Sequence, residues 1–177
     1  MPGQYVASST ATIAAPPDRV WSVITDPEAI RGFMFGTDVQ TDWSVGGPIR
    51  WRGEWEGKAY EDKGQVLEFE PGRRLVVTHF SPLSGQEDLP ENYHRLVWTL
   101  EEVPGGTEFT LSQDNNETAE AAEHSKLMWD KLVGDVKYLA EHDGSAHWPP
   151  CCAASRCTAA RLAVGTAAPL AAAMLYV

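Results

Sequence analysis

Apolar positions along this chain switch between a period of two and a helical period, and the switches mark its elements. Residues 5 to 14, YVASSTATIA, are small and β-branched and predict a first strand. The chain then reads Ala14-Ala15-Pro16-Pro17-Asp18-Arg19-Val20-Trp21-Ser22-Val23-Ile24-Thr25-Asp26-Pro27. Proline in a first helical turn needs no amide donor and has φ already set, so Pro17 starts one helix and Pro27 a second. Val20, Trp21, Val23 and Ile24 give the first helix its apolar face. It must stop at Thr25, because the residue before a proline disfavours the α region, and Asp26 is placed to cap the next helix.

Strand patterns follow over Phe35 to Trp43, Ile49 to Trp55, Lys63 to Phe69, Arg73 to Phe80, Tyr93 to Glu102 and Thr107 to Asp114. Turn chemistry separates them at Gly46-Gly47-Pro48, Glu70-Pro71-Gly72 and Pro104-Gly105-Gly106, the spacing of an antiparallel meander. From Glu117 to His142 the period becomes helical. Ala121, Met128, Leu132, Val136 and Leu139 form a stripe that Trp129 and Val133 widen, as on a helix facing a core. Glu117 and Glu120 suit its first turn, and Gly144 is placed to end it.

Alternation also assigns faces. Leu75, Val77 and His79 share one face of their strand, with Arg74 marking the other as outward; His94, Leu96, Trp98 and Leu100 share a face of the next. If these strands pair as a hairpin with Leu75 opposite Trp98, then Val77 lies opposite Leu96 and His79 opposite His94.

Several segments together resemble the bacterial activator of heat-shock-protein-90 ATPase homologue family: APPDRVWSVITDPEAI, GGPIRWRGEW, GQVLEFEPGRRLVVTHF, LVWTLEEVPGGTEFTLSQ and MWDKLVGDVKYL. The resemblance covers roughly residues 5 to 143. It implies membership of the START-like (SRPBCC) superfamily and an α+β helix-grip fold. Such a fold has a curved antiparallel sheet of about six to seven strands, two short N-terminal helices and one long C-terminal helix, with a cavity between sheet and long helix. These motifs identify a fold more sharply than an activity.

The chain has 177 residues, 43% of them hydrophobic, enough for one domain with a sizeable core. Its formal net charge is −11, and all 25 acids precede residue 149, so a phosphate backbone is repelled and nucleic acid is not an expected partner. Residues 1–148 are assigned to the helix-grip domain. Residues 149–177 are read as a disordered tail, with ten alanines, all three cysteines and no acid. Cys151, Cys152 and Cys157 fit neither a zinc knuckle nor a CxxC redox site, so no metal is expected. The uncharged run from Leu162 to Val177 is 16 residues long and broken by Gly165 and Pro169, short of a membrane span; a peripheral membrane or partner contact is the other reading of the tail. No charged region followed by an apolar stretch precedes the first strand, and the free thiols fit a reducing compartment, so the cytoplasm is expected.

Candidate chemistry falls on the inner sheet face. Phe33, Phe35, Trp43, Trp51, Trp55, Trp98, Met128, Trp129 and Leu132 are the expected walls of a cavity, although the same residues would serve simple packing. His79 and His94 are its polar feature, able to hold a ligand's polar end or relay protons. Against this, both flank the twelve-residue loop Ser81 to Asn92, where ordinary histidines sit half in water. The chain contains no GxSxG, HExxH, GxGxxG or phosphate-binding glycine loop. The expectation is a domain that binds a small, largely apolar or amphipathic molecule without a cofactor. An alternative is a cyclase- or aromatase-like enzyme with His79, His94 and Tyr60 as acid/base groups. A chaperone-associated ATPase-activator role is a further alternative. It is less favoured because the chain begins almost at its first strand, without the separate N-terminal domain of the eukaryotic activator.

Overall fold

Pro17 and Pro27 each occupy the first turn of a helix: α1 is Pro17–Thr25 and α2 is Pro27–Phe33. Between them Asp26 is extended, at φ −82° and ψ 120°, and its carboxylate accepts a hydrogen bond from the Glu28 amide at 2.9 Å. The structure, a computed structural model, describes residues 5–55 and 57–142. The expected helix stop Gly144 and the segment 149–177 lie outside these residues.

The strands are β1 (Tyr5–Ile13), β2 (Asp38–Gln40), β3 (Pro48–Trp55), β4 (Lys58–Glu70), β5 (Arg74–His79), β6 (His94–Val103) and β7 (Gly106–Asn116). They form one antiparallel sheet in the order β1-β7-β6-β5-β4-β3-β2, a meander from β2 to β7 with β1 added at the β7 edge. A bulge between Val66 and Glu68 breaks the β4–β5 ladder, a feature that bends a strand and increases its twist. The register of β5 on β6 is the one that alternation predicts, with Leu75 opposite Trp98, Val77 opposite Leu96 and His79 opposite His94. This α+β arrangement, closed by a long helix, is the helix-grip fold.

Two strand expectations need correction. Phe35 to Trp43 holds only the three-residue β2, because Phe35 and Trp43 take positive φ (55° and 59°) and Gly36 takes 85°, so the backbone turns at both ends. The strand expected from Lys63 begins at Lys58 instead. Its start is hidden by Glu61, Asp62 and Lys63, three consecutive charged residues of which Asp62 points inward. Within β4, Gly64 is required by close approach: a Cβ there would lie 1.7 Å from the Thr78 carbonyl oxygen of β5.

The long helix α3 (Ala119–Glu141) starts at Thr118, whose hydroxyl accepts from the Ala121 amide at 3.0 Å. It packs across β1 and β7 and against α1. Trp129, Leu132, Val133 and Val136 on its buried face join Phe33, Leu96, Phe109 and Leu111 in one core. Its C-terminus is tied to the N-terminal segment. Arg19 donates to the Leu139 carbonyl at 2.9 Å, and the Ala14 amide donates to the Glu141 carboxylate at 2.8 Å. No helix among the described residues is long and apolar enough to cross a membrane.

Candidate functional site: a small apolar cavity beside a buried polar cluster

Large side chains on the middle of the sheet cannot close completely against two short helices, and a cavity of about 20 Å³ is left between them. Ile24 of α1 and Ile30 of α2, with Met34 beyond it, form its roof, and Leu75 and Val77 of β5 its floor. Trp43, Trp51 and Trp98 form its walls. The Trp43 ring stacks on Phe69 at 5.7 Å, and Phe69 in turn meets Trp21 edge-on at 5.1 Å. That contact pins the β2 segment over the cavity, as does the exposed ion pair of Arg31 with Asp38.

Beyond Trp51 the inner face becomes polar. The Trp51 ring lies 5.0 Å from the His79 ring, and His79 Nε2 is 3.1 Å from Asp62 Oδ2. His79 and Asp62 are each only 1% exposed and Ser81 3%. Strand pairing explains why these residues meet. Lys63 bridges Phe80, which sets Asp62 opposite Ser81 and diagonally across from His79. Asp62 Oδ1, His79 Nδ1 and Ser81 Oγ are buried and have no hydrogen-bond partner among the described residues. Leaving a buried polar atom unpaired costs about 1–3 kcal/mol, so three neighbouring ones mark a site more than a filler of the core.

Two further polar groups flank this cluster. On one side the Tyr60 and Thr37 hydroxyls are 2.8 Å apart. Burial, and secondarily the nearby Asp62 carboxylate, raise the Tyr60 pKa against the opposing Thr37 contact, so the phenol stays neutral. On the other side His94 Nδ1 lies 2.9 Å from the Asp114 carbonyl oxygen. Burial first, and then His79 beside it, hold the His94 imidazole below its ordinary range, although the Asp114 carbonyl favours the charged form. Further along, Gln113 donates to Asn116 Oδ1 at 3.0 Å, and the Ser125 hydroxyl of α3 donates to the same oxygen at 3.2 Å. This group links the sheet to the long helix.

Of the residues singled out in the sequence, Trp43, Trp51 and Trp98 line the cavity. His79 and His94 face each other across β5 and β6, but His79 is fully buried against Asp62 and not half in water. Tyr60 is buried on the same inner face. Phe33, Trp129 and Leu132 are packed in the core, Met128 is only partly buried, and none of the four lines this cavity. The cavity lies under α1 and α2, because α3 covers the β1–β7 end of the sheet. Phe35 stands partly exposed beneath the Lys131 ammonium, 4.8 Å from its ring centre. Trp55 ends β3, and its side chain lies outside the described part of the structure. Asp62 and Ser81 were missed by sequence reading. Extending the strand pattern back to Lys58 would have put Asp62 on the face of Tyr60, and extending the β5 alternation two residues past His79 would have added Ser81.

Among the described residues no group of three or more histidines, cysteines or acids is arranged to hold a metal. What the cluster can do is accept hydrogen bonds, or move a proton through a carboxylate-oriented imidazole.

The model of the family described as activator of Hsp90 ATPase homolog 1-like protein matches residues 14–139. The chain belongs to this family. A family member's neighbours in structure are numerous. A protein from Cytophaga hutchinsonii is 45% identical, with a TM-score of 0.71 over 80% of this chain and 97% of that one. The Aha1 dimer from Colwellia psychrerythraea is 18% identical, with a TM-score of 0.60 over 77% of this chain and 96% of that one. DynU16, a protein of the dynemicin biosynthetic locus, is 21% identical, with a TM-score of 0.63 over 78% of this chain and 48% of that one. These last two share the fold. No curated protein matches the chain.

Proposed function

We propose that this protein binds a small, largely apolar molecule on the inner face of its sheet, under α1 and α2. The apolar part would lie among Trp43, Trp51 and Trp98, and the polar end would meet the Asp62–His79–Ser81 cluster. The observation that carries this reading is continuity: Trp51 both walls the apolar cavity and touches His79, so one molecule can reach both surfaces. A cavity of about 20 Å³ is far below the roughly 300–1,000 Å³ of ligand pockets, so binding requires the cover to move. The segment from Met34 to Gly47 suits that role. It holds the three-residue β2 between positive-φ turns. Only the short β2–β3 ladder, the Thr37–Tyr60 hydrogen bond, backbone bonds of Gly46 and Gly47 to Val66, the Trp43–Phe69 stack and an exposed ion pair have to yield for it to lift.

The test is a native mass spectrum of protein purified from its own host, together with titration by N-phenyl-1-naphthylamine, a neutral apolar dye. Saturable fluorescence at one site is expected, and Met34→Trp should abolish it by filling the cavity. A bare mass with no saturable dye binding would sink the proposal.

A second reading is favoured by the buried imidazole–carboxylate contact alone. In a cyclase- or aromatase-like enzyme, Asp62 would orient the His79 ring and its free Nδ1 would take a proton from a substrate in the same cavity. The place of DynU16 in a biosynthetic locus is compatible with such chemistry on this fold. Replacing His79 by Gln would then lower turnover by about 10² or more with affinity nearly kept. The co-chaperone reading rests on the family's name and on the likeness to the Aha1 dimer.

A further inference from the structure

We infer that the molecule bound in this cavity carries a protonated amine at its buried end. This inference rests on the cavity-binding reading and adds the chemistry of the head group. With His79 a neutral imidazole, the donor and acceptor inventory of the polar cluster is one-sided. Asp62 Oδ2 is already served by His79 Nε2, at 3.1 Å. When Nε2 carries the proton of that contact, the Nδ1 of a neutral imidazole is an acceptor. Asp62 Oδ1 is an acceptor as well, and the Ser81 hydroxyl can take either role. All three atoms are buried without a partner among the described residues. An ammonium group brings three donors and a positive charge to the same place.

Charge points the same way for a neutral His79. Asp62 is the only carboxylate of the cluster; its ion-pair partner among the described residues is His79, which offsets its charge only when protonated, and no lysine or arginine among them pairs with it. The nearest bases in sequence, Arg50, Arg52 and Lys63, are engaged elsewhere: the two arginines with Glu61 and the lysine with Asp88, at half-exposed positions. A carboxylate or phosphate head would need an imidazolium at His79, and would still face Asp62 Oδ1 at close range. Over the whole chain, the formal net charge of −11 attracts cations and repels anions on approach. Tyr60 and His94 do not alter the balance. The Tyr60 hydroxyl is occupied by Thr37, and the His94 imidazole is held neutral by burial.

The experiment measures displacement of N-phenyl-1-naphthylamine by three probes of equal chain length, hexylamine, hexanol and hexanoate, at pH 7. It is repeated at high salt, because screening weakens general surface attraction but reaches a buried pair much less. Hexylamine should displace the dye at a concentration at least about ten times lower than hexanol, with hexanoate weakest and the order kept in salt, as charge-assisted hydrogen bonds are roughly twice as strong as neutral ones. Asp62→Asn should bring hexylamine to the level of hexanol, and Ser81→Ala should weaken hexylamine while preserving the order. Hexanoate equal to or better than hexylamine would overturn the inference, as would a preference for the amine that disappears in salt. The ranking on the unsubstituted protein decides this even if Asp62→Asn does not fold. Dye binding with no head-group preference would leave the cavity reading standing and reject the amine; no dye binding would reject both.

Discussion

His94 sits between opposing influences, and the balance gives its pH signature. Burial and the neighbouring His79 hold its pKa below 6.5, while the Asp114 carbonyl partly restores it. A base whose pKa is lower folded than unfolded binds more protons in the unfolded state as pH falls through about 6.5. Its contribution to stability is therefore intact above that value and is lost progressively below it, down through the folded pKa. The carboxylates held below their ordinary range, Asp42, Asp88, Asp130 and Glu141, act lower, as pH falls through and below their normal values of 3.8 and 4.5. Urea midpoints measured between pH 7.5 and 5.5 should thus fall, and His94→Gln, which keeps a donor for Asp114, should flatten the fall. A midpoint that rises on acidification, or an unchanged slope in the variant, would contradict the assignment. At this scale sequence was informative where residues alternate cleanly, as at His79 and His94. It failed at Asp62, because a charged residue among charged neighbours reads as outward until its hydrogen-bond partner on another strand is known.

Elements were legible where one physical rule dominated them. Prolines fixed the starts of α1 and α2, and the apolar stripe announced α3 to within two residues at its N-terminus. The segment around β2 was not legible, because its shape is set by positive-φ backbone at Phe35 and Trp43, residues whose composition looks like strand. The cavity's place depends on which half of the sheet α3 covers, and no helical periodicity encodes that choice. Packing now separates the duties of two helices. Leu132 of α3 is 1% exposed and belongs to the common core, so Leu132→Ala should cost about 2–5 kcal/mol, the range for truncating a buried leucine. The same change should leave dye affinity per folded molecule nearly unaltered, since Leu132 does not line the cavity. Denaturation curves and a titration of one sample check both halves. An unchanged midpoint would place this face of α3 away from the core, and a large loss of affinity would extend the site to α3.

At the scale of the whole molecule, the described part closes on itself at its C-terminal end. The last carbonyls of α3 receive Arg19, and the Glu141 carboxylate receives both the Ala14 amide and, at 3.0 Å, the Lys137 ammonium. Polar groups there are thus satisfied by β1, α1 and α3 themselves, and the core beneath is formed by residues up to Ala140. The family match ends at residue 139. The alanine- and cysteine-rich segment 149–177 differs from this domain in composition and lacks its acids altogether. Deleting it should change domain stability by no more than about 0.5 kcal/mol, as for segments that make few buried contacts. Urea unfolding of the full chain and of residues 1–148 measures this directly. Dye titration of the same pair then separates two consequences. Equal stability with tighter dye binding would mean that the segment competes for the cavity mouth, whereas a loss of several kcal/mol on deletion would show that it packs on the domain and would overturn the division at residue 148.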